Sequence, residues 1–133
     1  MAATAQERLA AAPSIYPDNA EFWEGASRGE LLLAECARCG PYWYPRAHCP
    51  HCGAGRSGWL HACGRGAIYS LSVTRRAGPV PYAIAYVTLA EGITILTNIV
   101  DCDLDALAIG DPVELVFRHA EGGQAVPMFR PSR

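Results

Sequence analysis

CARCGPYWYPRAHCPHCG, residues 36–53, holds four of the six cysteines of this chain in two pairs of identical spacing. The pattern is Cys36-x2-Cys39-x9-Cys49-x2-Cys52, and each pair is followed by a glycine, Gly40 or Gly53. Two residues between cysteines let both sulfurs of one turn face the same cation. A glycine after the pair tolerates the positive φ that such a turn needs. Two such turns, brought together by a strand pair, make a tetrahedral four-sulfur site. Thiolate sulfur at about 2.3 Å suits Zn2+. Iron in a rubredoxin-like site is the rival, because tetrahedral sulfur ligation suits iron as well. The residues assigned to the metal are Cys36, Cys39, Cys49 and Cys52. Four thiolates fill the coordination sphere and leave no position for water or substrate, so such an ion folds the chain and does not act as a Lewis acid. In small zinc peptides this kind of binding supplies on the order of 10 kcal/mol to folding.

His48 and His51 lie inside the same stretch. As ligands they would compete with a complete cysteine set, so they are read, with Arg38, as N–H donors that offset the negative charge of the site. Cys63 is read as a small buried hydrophobe. Cys102, in an Asp-rich turn, has no basic neighbour in sequence to activate it as a nucleophile. A preference for metal over disulfides presumes a reducing compartment. The N-terminal MAATAQERLAAAPSIY lacks the basic segment and apolar run of a secretory leader. No apolar stretch reaches the ~18–20 residues that cross a bilayer. A cytoplasmic protein without a membrane partner is expected.

The chain has 133 residues, enough for one domain or a small domain with an appendage, and at 50% hydrophobic it can bury a real core. Net charge is −2, and all 11 basic residues are arginine. That balance argues against a polyanionic partner. Local clustering of arginine keeps a nucleic-acid-binding module as the second reading.

Working outward from the cysteines, residues 1–17 read as an Ala-rich tail with at most one frayed helical turn. Asp18–Gly29 reads as a helix, with Asp18 as N-cap, Glu21 completing a capping box and Gly29 at C′. Its Phe22 and Trp23 dock either on the chain's own body or on another subunit. Glu30–Glu35 and Tyr42–Tyr44 read as strands into and out of the first cysteine pair, and Trp59–Ala62 as a returning strand. From Arg65 the pattern is pure β. In Ala67–Thr74, Tyr69, Leu71 and Val73 alternate with Ser70, Ser72 and Thr74, the period of a half-buried strand. Tyr82–Leu89 and Ile93–Val100 form a hairpin around Ala90-Glu91-Gly92. Asp101–Pro112 holds a turn of helix at most. Val113–Arg118 and Ala125–Phe129 complete five strands, which suit a small closed barrel because closure removes exposed edges.

No G-x-S-x-G elbow, P-loop or H-E-x-x-H motif is present. Asp101, Asp103 and Asp105 alternate as at the start of a calcium loop, but Ala106 and Pro112 stand where its glycine and glutamate belong. His61 and His119 are single histidines. No catalytic residue is assigned.

Phe22–Leu31 (FWEGASRGEL), the two cysteine knuckles, Tyr44-Pro45, GRGAIYS (64–70), TNIVDCD (97–103), IGDPVE (109–114) and VPMFRP (126–131) occur in one order. In that order they resemble the "domain of unknown function thirty-five" family over residues 18–131. The resemblance implies an N-terminal helix, a rubredoxin-like zinc ribbon and a C-terminal OB-fold barrel, divided at 1–29, 30–63 and 64–133. It implies a non-catalytic accessory subunit of a thiolase-fold acyl-CoA enzyme: a thiolase, an acyltransferase or a lipid-transfer-protein-type aldolase. Archaeal members hold a thiolase against hydroxymethylglutaryl-CoA synthase, and others pair with hotdog-fold enoyl-CoA hydratases in steroid side-chain breakdown. The residues carried over are the zinc ligands Cys36, Cys39, Cys49 and Cys52. On that footing Phe22, Trp23, Tyr42, Trp43 and Tyr44 are expected to face the partner. Arg38, Arg46, Arg56, Arg65, Arg75 and Arg76 are candidates for the CoA phosphates. The short loop Ala77–Pro81 departs from relatives with a longer Pro-rich run.

Overall fold

The computed structural model describes residues 9–78 and 80–132. The chain enters as an extended arm: residues 9–16 carry no helix, and residues 1–8 lie outside the described ones. Helix α1 spans Ala20–Ser27. Its N-cap is Asn19 and not Asp18, and no side chain caps the first N–H groups, so the expected box with Glu21 does not form. The Asn19 side chain has other partners. It accepts from the Tyr16 N–H at 2.7 Å and donates to the Ser14 carbonyl at 3.2 Å and the Tyr44 hydroxyl at 3.3 Å. It clasps the arm in place of capping the helix. The other end follows the sequence reading: Gly29 has φ +81, its N–H bonds the Ala26 carbonyl, and the Glu30 N–H bonds that of Gly25. That pair of bonds satisfies two of the last free carbonyls.

The ribbon sheet has strands β1 (Leu32–Cys36), β2 (Gly40–Tyr42) and β3 (Gly58–His61) in the order β2-β1-β3. The second strand starts and stops two residues earlier than Tyr42–Tyr44, because Gly40 pairs directly with Cys36. Strand β1 is central, and its alternation splits its contacts. Leu33, with Leu31 just before the strand, joins the main core, while Ala34 and Cys36 pack with Tyr42 and Cys49 in a separate cluster.

The barrel comprises β4 (Arg65–Thr74), β5 (Tyr82–Leu89), β6 (Thr94–Ile99), β7 (Pro112–His119) and β8 (Ala125–Pro131), closed in the order β4-β5-β6-β8-β7. Gly92, at φ +96, turns the β5–β6 hairpin as its sequence implies. One expectation for β4 fails. The register runs from Ile68↔Val87 to Ser70↔Tyr86, leaving Tyr69 as the extra residue of a bulge and 67% exposed. A bulge moves the sides of the strand by one residue, so Ile68, not Tyr69, takes the inward place ahead of Leu71 and Val73. The barrel closes narrowly between β6 and β8, at Ile99↔Phe129. Beside that seam Arg118 pairs with Asp101, and Arg130 bonds Glu114 at 2.9 Å.

Phe22, Trp23, Leu31 and Leu33 share one core with Ile68, Val87, Ile95, Ile99, Val113 and Phe129 of the barrel. Gln124 fastens this packing from the β7–β8 turn, donating its side-chain amide to the Trp23 carbonyl and to Ser27 Oγ, both at 3.0 Å. Among the described residues no helix is long and apolar enough to cross a membrane.

Candidate metal centre

The two knuckles are built by different local devices. In the first, Cys36 ends β1 and pairs across the hairpin with Gly40, whose φ of +84 turns the chain back. In the second, the Gly53 N–H bonds the Cys49 carbonyl at 2.9 Å and the Cys49 N–H bonds the Ala54 carbonyl at 2.8 Å. Gly53, at φ +78, takes the same left-handed conformation. The result brings the sulfurs of Cys36, Cys39, Cys49 and Cys52 within 4.8 Å of one another. Cys36 Sγ and Cys52 Sγ are 3.6 Å apart.

These distances fit a tetrahedral ion. With metal–sulfur bonds of about 2.3 Å, neighbouring sulfurs of a tetrahedron lie about 3.8 Å apart. Backbone donors surround the set as well. The His51 N–H points at Cys49 Sγ from 3.4 Å. The N–H groups of Cys39 and Arg38 draw the Cys36 thiol down to about 7. Without a cation the crowded sulfurs oppose one another: hydrogen bonding to Cys52 pushes the Cys39 thiol up to about 12. A divalent ion resolves that conflict, because coordinated thiols are deprotonated and their charges are balanced by the metal. Cys36 and Cys49 are buried while Cys39 and Cys52 are exposed, so the site opens on the surface.

The other sequence candidates fall into place around it. His48 and His51 are exposed, and it is the backbone of His51, not its imidazole, that donates to a sulfur. Arg38 likewise helps through its N–H. Cys63 is exposed, against the expectation of a buried hydrophobe; its turn is fixed by the backbone, whose N–H bonds Glu91 Oε2 at 2.8 Å. Burial, then the charges of Asp101 and Asp103, push the Cys102 thiol up, the opposite of activation. Asp103 caps the short 3-10 turn Leu104–Ala106 by accepting from the Asp105 N–H at 3.0 Å. His61 faces Glu30 at 2.8 Å.

The aromatic interface expected from Phe22, Trp23 and Tyr42 is not there: all three are buried, at 2%, 8% and 1% exposure. Phe22 is ringed by Trp23, Trp43 and Tyr44 at 4.9, 5.5 and 6.1 Å. These rings glue helix to ribbon; Trp43 is half-buried and Tyr44 is exposed. Three of the candidate phosphate-binding arginines also have internal partners, the first being Arg46, whose Nε donates to the Tyr44 carbonyl at 3.4 Å. Arg56 donates to the Asp18 carbonyl at 2.8 Å, and Arg75 pairs with Asp105 at 2.7 Å.

Residues 23–57 match the model of the ChsH2 rubredoxin-like zinc ribbon domain, and residues 59–118 that of the ChsH2 C-terminal OB-fold domain. A DUF35 domain-containing scaffold protein of Methanothermobacter thermautotrophicus is 40% identical over 98 residues, covering 68% of this chain and 74% of the relative. This chain belongs to the DUF35 family. A probable enoyl-CoA hydratase alpha subunit of Thermomonospora curvata is 36% identical to this DUF35 chain over 125 residues. That match covers 90% of the DUF35 chain and 39% of the relative, so the chain spans well under half the length of that protein. Among solved structures, a chain of an Ltp2-ChsH2(DUF35) aldolase superposes with a TM-score of 0.77 at 36% identity, covering 90% of this chain and 98% of that one.

Proposed function

We propose that this DUF35 chain is a non-catalytic accessory subunit that binds and supports a thiolase-fold acyl-CoA enzyme, in first place an aldolase of the lipid-transfer-protein type. The observation that carries the reading is its likeness, over nearly the whole of both chains, to the ChsH2 DUF35 chain of an aldolase complex. The saturated four-sulfur geometry supports a role without bond-making. We assign the ion as zinc, held by Cys36, Cys39, Cys49 and Cys52, and take 1–29, 30–63 and 64–133 as tail and helix, ribbon and barrel. The ribbon folds around the ion, the barrel meets the enzyme, and exposed Arg38, Arg65 and Arg76 are available to CoA phosphates. Six cysteines with no disulfide among them suit the reducing cytoplasm. An enoyl-CoA hydratase is a further partner class, since the Thermomonospora relative carries that description on a longer chain.

The test is reconstitution. The chain is purified with and without an Ltp2-type aldolase, and complex formation and acyl-CoA retro-aldol turnover are measured. A stable complex with turnover that depends on this chain is expected. An aldolase that stays separate and is indifferent to the chain ends the proposal. Elemental analysis should return about one zinc per chain; the colour of a ferric four-sulfur site would reassign the metal to iron.

A further inference from the structure

The two outer sides of the barrel differ in kind. On β7 and β8 the outward positions carry Glu114, Arg118 and Arg130, which pair with one another and with Asp101, as a solvated face does. On the other side, from Ala67 to Thr74, Tyr82 to Thr88 and Thr94 to Asn98, no residue carries a charge. Apart from Arg65, the first residue of β4, the three strands carry no charged side chain, which is unusual on a water-facing surface, where polar and charged residues normally take the outward places.

The same side exposes large apolar groups. Tyr69 is 67% exposed, Ile84 36%, Tyr86 47% and Leu96 49%. The register puts them together: Tyr86 lies directly across from Leu96, Ser70 beside Tyr69 pairs with Tyr86, and Ile84 is the next outward residue along β5. The bulge of β4 is what turns Tyr69 out to this face. Together the four side chains expose roughly 400 Å2, about the largest apolar patch of an ordinary monomer and about half of one partner's share of a standard interface. Hydroxyl groups fill the remainder, with Thr88 Oγ1 and Thr94 Oγ1 bonded at 3.0 Å. At one end the patch is bounded by charge, the Arg75–Asp105 pair at 2.7 Å. An uncharged aromatic and aliphatic centre with a polar margin is the anatomy of a protein–protein interface.

We propose that the outer face of β4, β5 and β6, centred on Tyr86 and Leu96, is the docking surface for the enzyme subunit, and that it takes an uncharged, apolar surface of that partner. The inference rests on the accessory-subunit reading above and deepens it by naming the face. β5 and β6 are the second and third strands of the barrel, the side on which OB folds bind their ligands. A single-stranded nucleic acid, the other known occupant of such a face, needs cations beside stacking rings. The two tyrosines have no cation on β5 or β6, and the one cation of β4, Arg65, stands at its first residue, opposite Glu114 of β7. Phe22, Trp23 and Tyr42 are spent in the core, so they cannot serve as anchors.

The probe is a purified Ltp2-type aldolase, titrated against the full zinc-loaded chain. Wild type should bind. Y86E/L96E should lose at least about tenfold in affinity, because a charge is stranded in an apolar contact. I15E, which alters an exposed apolar residue of the arm before α1 (51% exposed), should bind as wild type does. Circular dichroism and zinc content verify that each variant is folded. Should Y86E/L96E fail to fold, oxidative footprinting of the wild-type complex gives the same answer: Tyr69 and Tyr86 should become protected. Wild-type binding with unaltered affinity in Y86E/L96E, or without protection of these tyrosines, overturns the docking face and leaves the accessory role standing. No binding by wild type overturns the accessory role and this inference with it. Dimers of the isolated chain that Y86E/L96E dissolves would make a second copy the occupant and overturn the assignment to the enzyme.

Discussion

The guanidinium carbon of Arg56 stands 4.3 Å from the centre of the Trp59 ring. From that position its Nη1 donates to the Asp18 carbonyl at 2.8 Å and to the Arg46 carbonyl at 3.2 Å. One side chain therefore ties the segment before α1 to both limbs of the second knuckle. R56A should destabilise the chain by about 1–3 kcal/mol, from charged hydrogen bonds and the ring contact combined. R56K should recover only part, because an ammonium can bond carbonyls but has no planar, weakly hydrated group to lay over the Trp59 ring. Chemical denaturation of the three proteins measures this; an R56A midpoint equal to wild type would show that the contacts carry no net stability.

Metal removal should act locally. Cys36 and Cys49 belong to a small cluster with Ala34 and Tyr42, apart from the main core. A strong chelator, or C39A, is expected to release the ion and raise amide exchange across residues 36–55 while β5, β6 and β7 stay protected. Because thiols must lose protons to bind metal, affinity should rise with pH and fall in acid. Zinc competition at several pH values checks the sign.

Two glycines in strands should respond unequally to the same change. A Cβ on Gly66 would lie 2.7 Å from the Thr88 carbonyl oxygen and 2.7 Å from Val87 Cγ1, whereas nothing lies within 4 Å of one on Gly58. G66A should cost about 1–3 kcal/mol through overpacking, and G58A should stay within about 0.5 kcal/mol of wild type. Thermal melts of both variants decide it, and equal behaviour would refute the packing argument.

Glu30 provides a pH test outside the metal site. A side-chain hydrogen bond from Arg28, at 2.9 Å, holds its carboxyl below the ordinary 4.5. A depressed carboxylate adds stability that is present above the unfolded value and is lost as pH falls through the folded one. An NMR titration of Glu30 should show a midpoint below 4.5, and R28A should move it upward. The effect on stability is small because both groups meet solvent.

What could be read from sequence was whatever is decided locally. The cysteine spacing and the glycines behind it specify the knuckles within a few residues, and Gly29 marks the helix end for the same reason. The five barrel strands stand out between their turns, and their bounds follow the sequence reading within two residues. Most of the misreadings involve partners outside the local stretch. Asp18 and Glu21 look like a cap, but Asn19 is drawn to Ser14, Tyr16 and Tyr44 across up to 25 residues. The bulge at Tyr69 carries no glycine or proline to flag it and reveals itself only in the pairing with β5. Phe22 and Trp23 are equally apolar whether they meet a partner or their own barrel, and composition cannot separate the two. The uncharged run on β4, β5 and β6 was visible as letters, yet which members face outward depends on the same bulge.

The helix wedged between ribbon and barrel has one more implication. Leu31 and Leu33 come from one module and Ile68 and Phe129 from the other, yet they touch a common interior. Scissors applied near residue 63 would therefore produce two halves, each with a raw greasy side, and neither should survive alone as a well-behaved fragment. Evolution can shuffle this pair of modules as a cassette onto longer polypeptides, but only as a single piece.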